Sequence, residues 1–149
     1  MNRQQGFTLI ELVVVIIILG ILAVTAVPKF INLQDDAKEA TANGVAASLK
    51  GASQLVYAKA LINGSDSAAS GNTVTVNGNT TVDLVYGYPA ATAAGIGNAV
   101  EIDNPPWVGA VSGTDYVYTY NSDTTCTVTY TAPTAANGSP TITSDCSAN

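Results

Sequence analysis

The sequence predicts an α+β chain in which one long N-terminal helix packs its second half on a small antiparallel sheet. Three observations carry that reading. An uninterrupted apolar run extends from Phe7 to Val27, a helical period continues from Lys29 to Ile62, and side chains alternate in the last third of the chain.

The apolar run is twenty-one residues, fifteen of them Phe, Leu, Ile or Val, with one charge, Glu11. At about 1.5 Å per residue it reaches roughly 31 Å as a helix, the thickness of a bilayer's hydrocarbon core. Val13 to Ile18 is β-branched throughout and locally favours a strand, but nothing alternates with it and the unbroken length decides for a helix. On an insertion scale the large apolar residues contribute very roughly −5 to −9 kcal/mol against about +3 for one charge. The segment belongs in lipid or against another protein. Glu11 has two readings: near the helix start it snorkels to the interface and favours the positive end of the dipole, whereas an ionisable group in a membrane helix otherwise marks function and has a partner.

A six-residue polar leader ending in Gly6, then Phe7-Thr8-Leu9-Ile10-Glu11, a long apolar helix and Pro28 resemble the prepilin signal of type IV pilins and the related pseudopilins. The resemblance implies a type IV pilin fold, cleavage by a membrane peptidase between Gly6 and Phe7, and methylation of the new amino group on Phe7. It also implies assembly roles for Glu11, which takes up the N-terminal ammonium of a neighbouring subunit, and for Pro28, near which pilins unwind locally. The organisation expected is a leader over 1–6, a transmembrane and filament-core helix over 7–28, the amphipathic half of the same helix over 29–62, and a head over 63–149. Val24-Thr25-Ala26 offers another reading, a secretory signal cleaved after Ala26, for which a carboxylate in the apolar stretch is atypical.

Charge and cysteine content place the head. Charged residues are 11% of the 149, against about 25% in an average domain. All five bases, Arg3, Lys29, Lys38, Lys50 and Lys59, fall in the first 59 positions, and the rest of the chain carries seven carboxylates. Losing the leader takes the net charge from −6 to −7, which excludes nucleic acid as a partner on electrostatic grounds. Bases flank the apolar run almost evenly, so the cysteines orient it. Cys126 and Cys146 suit one disulfide in an oxidising compartment, the alternative being two free thiols. The disulfide puts the head outside the inner membrane and the leader inside. With no histidine and no CxxC, zinc is excluded.

After Pro28 the helical period holds to Ile62, with Pro28 and Gly20 as points where the helix loosens. Val45, Leu49, Ala52, Val56 and Lys59 share one face, which (the lysine excepted) buries against a sheet. Ala37, Ala40, Gly44, Ala47 and Gly51 form a stripe of small residues suited either to packing under the domain or to a subunit contact. Asp35, Asp36, Lys38 and Glu39 read as a solvated face, with an intersubunit ion pair as the alternative. Asn63-Gly64 stops the helix.

Thr73 to Val76, Asn77-Gly78 and Asn79 to Val82 spell a hairpin with a type I′ turn. Asp83 to Pro89 continues as strand or loop, and Ala90 to Ala94 forms a short helix. Tyr116, Tyr118 and Tyr120 alternate onto one face, as do Cys126, Val128 and Tyr130, with Asn121 to Thr125 between. The tyrosines and Trp107 read as core in preference to a sugar platform.

No histidine, G-x-S-x-G, S-x-x-K or phosphate-cradling loop is present, so no catalytic residue and no cofactor is assigned. Glu101, Asp103 and Asn104 lack EF-hand spacing and read as an ordinary loop, so no metal site is assigned. The triplets at Asn63, Asn79 and Asn137 fit a glycosylation acceptor, which chance explains in so Asn-, Ser- and Thr-rich a chain.

Pro28 to Ala37 and Tyr86 to Thr92 resemble the mannose-sensitive haemagglutinin pilins of marine Gram-negative bacteria, and together with the leader the matching blocks cover about a third of the chain. That resemblance implies a major subunit of a thin, retractable attachment pilus whose partners are its own copies, the prepilin peptidase and assembly machinery, the inner membrane before assembly, and a surface carbohydrate. A minor pilin or type II secretion pseudopilin shares the N-terminal motif, and a monomeric, membrane-anchored adhesin is the alternative from another class.

Overall fold

The computed structural model describes residues 7–102, 104–121 and 123–146, with the backbone alone described over 26–32. The leader expected over 1–6, Gly6 with it, and Asp103 lie outside the described residues. The chain falls into two units, the first ending at Ala37 and the second beginning at Lys38.

One helix, α1 (Leu9–Asn63), belongs to both units and stays helical through Gly20 and Pro28, the points where loosening was expected. It ends as Asn63-Gly64 predicts. Gly64 takes a positive φ of 65°, its N–H donates to the Leu61 carbonyl at 3.2 Å, and the Ser65 N–H donates to the Ala60 carbonyl at 2.9 Å. This pair of bonds is the Schellman arrangement, which satisfies carbonyls the helix end would otherwise strand.

In the second unit α1 buries one stripe, Ala42, Val45, Leu49, Ser53, Val56 and Ala60, at spacings of three and four. The expected face is therefore right in direction but shifted at its end: Ala52 is half-buried, Lys59 is exposed, and Ser53 and Ala60 take the buried positions. Ser53 tolerates burial because its hydroxyl donates back to the Lys50 carbonyl at 2.9 Å. Ala37, Ala40, Gly44, Ala47 and Gly51 are all exposed, so the small-residue stripe does not pack under the second unit's own sheets.

The expected single sheet is in fact two. β1 (Thr73–Val76), β2 (Thr80–Val85) and β3 (Tyr88–Pro89) form one antiparallel sheet, and β4 (Trp107–Ser112), β5 (Asp115–Tyr120), β6 (Asp123–Thr131) and β7 (Thr141–Cys146) form a four-stranded meander. α1 serves both. Ala42, Val45 and Leu49 pack with Trp107, Tyr116, Tyr118, Val128 and Tyr130, whereas Val56 and Ala60 pack with Val74, Val82 and Leu84. The sheets are linked by Tyr130, fully buried, whose hydroxyl donates to the Pro89 carbonyl at 2.8 Å. Burial pushes the Tyr130 phenol well above the usual range, with Tyr88 adding to the effect, and burial does the same to Tyr118, helped by Tyr116.

Several details depart from the sequence reading. Asn77 and Gly78 do take positive φ, but Val76 pairs with Thr80, so Asn79 joins the loop and β2 starts one residue later than expected. The short helical turn lies at Ala93–Gly97, behind Thr92, whose hydroxyl accepts from the Gly95 N–H. β6 begins at Asp123 and not after Thr125. Trp107, Tyr116 and Tyr118 are core, as expected, with Trp107 edge-on to Tyr120 at 5.3 Å.

Cys126 and Cys146 are disulfide-bonded and sit directly opposite each other on β6 and β7. Closing a loop of 20 residues contributes about 3 kcal/mol in the chain-entropy model. The acidic-looking start of the second unit is not simply solvated either. Lys38 pairs within its own chain with Asp123 Oδ2 at 3.2 Å, while Asp123 Oδ1 accepts from the Thr125 hydroxyl at 2.7 Å and from its N–H at 3.0 Å. The Thr125 bonds, then Lys38, hold the Asp123 carboxyl below the usual carboxylate range.

Two predictions follow from these contacts. A carboxylate whose pKa is lowered by folding contributes stability above its unfolded value and loses it as pH falls through the folded one. Asp123→Asn should therefore lower the thermal midpoint near neutral pH and leave a shallower fall of the midpoint with acid below about pH 4, read by circular dichroism of the full chain in detergent. A methyl group at Gly109 would lie 2.7 Å from a Tyr116 ring carbon and 2.8 Å from one of Tyr118. Gly109→Ala should cost about 1–3 kcal/mol in urea unfolding, because both rings are locked in the core.

Candidate functional site

The start of α1 is built around Thr8 and Glu11. Glu11 Oε2 accepts from both the Thr8 N–H and the Thr8 hydroxyl at 2.8 Å, and the Glu11 N–H points back to Thr8 Oγ1 at 3.3 Å. This is a reciprocal capping box, in which a threonine and the glutamate three residues on satisfy each other's backbone donors. It supplies Glu11 with a named partner that the dipole reading lacks, and the T-x-x-E spacing of Thr8 to Glu11 is the signal that finds it.

Beyond the cap lies an apolar surface that the described residues leave uncovered. All fourteen large apolar side chains from Phe7 to Val24 are exposed, from 38% at Val13 to 88% at Phe7. The segment's polar group at the far end is internally satisfied, since the Thr25 hydroxyl donates to the Leu22 carbonyl at 3.0 Å. Nothing within 4 Å would meet a Cβ at Gly20, so this glycine packs against no part of its own chain. A helix apolar on all sides needs lipid or other protein around it.

Among the described residues no helix is long and apolar enough to cross a membrane. The apolar run with described side chains spans Leu9 to Thr25, which at about 1.5 Å per residue falls short of a hydrocarbon core of about 30 Å. The segment expected over 7–28 includes Ala26, Val27 and Pro28, whose side chains lie outside those described; at Pro28 the backbone is helical. Of the other predicted positions, Phe7 precedes the helix and is exposed, and Cys126 and Cys146 are brought together. No three metal-ligating side chains gather among the described residues.

Residues 1–27 match the prokaryotic N-terminal methylation motif. The type IV narrow pilus major component PilA5 of Thermus thermophilus is 40% identical over 88 residues, which are 53% of this chain and 76% of that one. The fimbrial protein EcpC of Eikenella corrodens is 41% identical over 75 residues, 50% of this chain and 49% of its own. Type II secretion system core protein G of Pseudomonas aeruginosa is 51% identical over 43 residues, 29% of this chain and 30% of its own. No solved structure matches. These relatives are structural subunits and not enzymes. With a methylation motif at its start, a long helix followed by antiparallel sheets, and 76% of a pilus component matched, this chain belongs to the type IV pilin family.

Proposed function

We propose that the chain is the structural subunit of a pilus of the mannose-sensitive haemagglutinin type, polymerising through residues 7–28 into a surface filament that attaches to surfaces. The observation that carries the reading is the exposed apolar surface of α1 from Phe7 to Val24 with a carboxylate, Glu11, at its start. A prepilin peptidase removes residues 1–6 between Gly6 and Phe7, and the new amine on Phe7 is methylated. Before assembly the helix crosses the inner membrane once with the head in the periplasm; afterwards the filament is extracellular.

Glu11 receives the N-terminal ammonium of a neighbouring copy. Two opposite charges in a low-dielectric core are each costly alone and tolerable as a pair. The cap does not compete with this role, because both Thr8 bonds fall on one oxygen and a carboxylate has about four acceptor sites. Pro28 gives the helix a point that loosens as subunits join. The blocks Pro28 to Ala37 and Tyr86 to Thr92 support the haemagglutinin type, whose name points to a surface carbohydrate as partner. The match to core protein G over 43 residues favours a second reading, a pseudopilin.

Protein sheared from cells distinguishes these readings. A filament subunit should be abundant in the sheared fraction and start at methylated Phe7, two hydrogens short for the disulfide. A start at Val27 sinks the pilin reading, and absence from the sheared fraction turns it to the pseudopilin. Glu11→Gln separates the two roles of the carboxylate, since glutamine also serves in a capping box. Loss of filaments, with processed subunit persisting in the membrane, is expected if the charge matters; filaments at wild-type levels would reduce Glu11 to a cap.

A further inference from the structure

The second unit holds a cleft to which the reading above assigns no role. It has a volume of about 460 Å³ and lies where α1 passes β3 and the start of β7, walled by Lys50, Gln54, Tyr88, Ser139, Thr141 and Ile142 among others. Two contacts bracket it along the helix. On one side the Ser144 hydroxyl donates to Asn43 Oδ1 at 3.1 Å, tying α1 to β7. On the other, Tyr57 stacks on Tyr88 with centroids 4.2 Å apart and planes 8° from parallel, tying α1 to β3. The cleft lies between these two ties. Its volume falls within the roughly 300–1,000 Å³ of small-molecule sites.

The walls select the ligand. Four exposed polar side chains, Lys50, Gln54, Ser139 and Thr141, line the cleft, so an apolar guest would displace their water without replacing its hydrogen bonds. Among the described residues no carboxylate lines the cleft, although residues 38–149 carry eight acidic side chains against three basic ones. That disfavours a cation and leaves Lys50 as the charge at the site. The Ser139 and Thr141 hydroxyls and the Gln54 amide each donate and accept, as ring hydroxyls of a sugar do, while Ile142 and the edge of the Tyr57–Tyr88 stack offer apolar surface for ring C–H groups. A single ammonium among neutral hydroxyls fits a single carboxylate better than a multiply charged phosphate, which calls for several donors or a cationic cluster.

We infer that this cleft binds a carboxylated sugar of the uronic acid class, its carboxylate on Lys50 Nζ and its hydroxyls on Gln54, Ser139 and Thr141. The same chemistry is offered by a free uronate and by the end of an acidic polysaccharide.

The test is ligand-observed saturation-transfer NMR and titration of the full-length chain in detergent with glucuronate, an oligoglucuronate, glucose and acetate. Glucuronate should bind about tenfold more tightly than glucose, the difference made by one charge-assisted contact. Lys50→Gln should bring it down to the glucose level, Lys50→Arg should retain it, and Lys59→Gln should leave it unchanged. Lys50 and Lys59 are exposed, so these variants keep the fold, which circular dichroism checks. Oligomer binding as tight as the monomer's identifies a chain end as the source; binding of the monomer alone identifies the free sugar. Glucuronate binding no better than glucose, acetate binding as tightly as glucuronate, or Lys50→Gln without effect each overturn the proposal.

Discussion

One helix in this protein obeys two solvents. From Leu9 to Val24 its large side chains are apolar on every side and exposed, while from Ala42 to Ala60 only a stripe one residue wide at each turn is buried, apolar except for Ser53. Burying a large aliphatic side chain is worth about 1.5–3 kcal/mol, so covering the first segment is worth on the order of tens of kcal/mol, more than the whole net stability of a typical domain. No described residue provides that cover. The first segment therefore has its free-energy minimum in an environment that the chain does not itself supply, and the family to which the chain belongs meets that need with a membrane and then with copies of itself.

The second unit is a small domain that compensates for a short core with a few specific ties. Its two sheets do not pack on each other's faces; each packs on a different length of α1. The Tyr130 to Pro89 bond joins the two sheets, the Tyr57–Tyr88 stack and the Lys38–Asp123 pair tie α1 to one strand of each, and the Cys126–Cys146 bridge locks β6 to β7. The core is aromatic where the four-stranded sheet meets the helix and aliphatic where the three-stranded sheet does. Gly109 is the counterpart of that aromatic layer, an absent side chain that gives two tyrosine rings their space.

Glu11 has a local role that the fold makes visible. Its bonds to Thr8 fix the start of the helix and hold the carboxylate beside Phe7, the residue that precedes the cap. A group so placed lies at the positive end of the helix dipole. The same residue is thus both a helix start signal and the one charge in an otherwise apolar surface.

Features that depend on residues near in sequence were legible in it. The apolar run, the Gly64 stop, the turn at Asn77-Gly78 and the alternation of Tyr116 and Tyr118 with Cys126, Val128 and Tyr130 are written in local composition and spacing, because helix and strand periods are local properties of the backbone. The Thr8–Glu11 cap was equally local. What composition and spacing do not encode is which distant residues meet. The division into two sheets, the pairing of Lys38 with Asp123 across 85 positions, the preference of Ser53 over Ala52 for the buried stripe, and the cleft at Lys50 all depend on how α1 lies across the strands. A period of 3.6 defines a face only to within a residue, and the sheets select which residue of that face is buried. Local composition is enough to demand a helix covered from outside and to offer a disulfide in the head; that the cysteines meet, and which side chains brace the head, is set by how the elements pack, because long-range contacts follow the geometry of packed elements and not the order of residues along them.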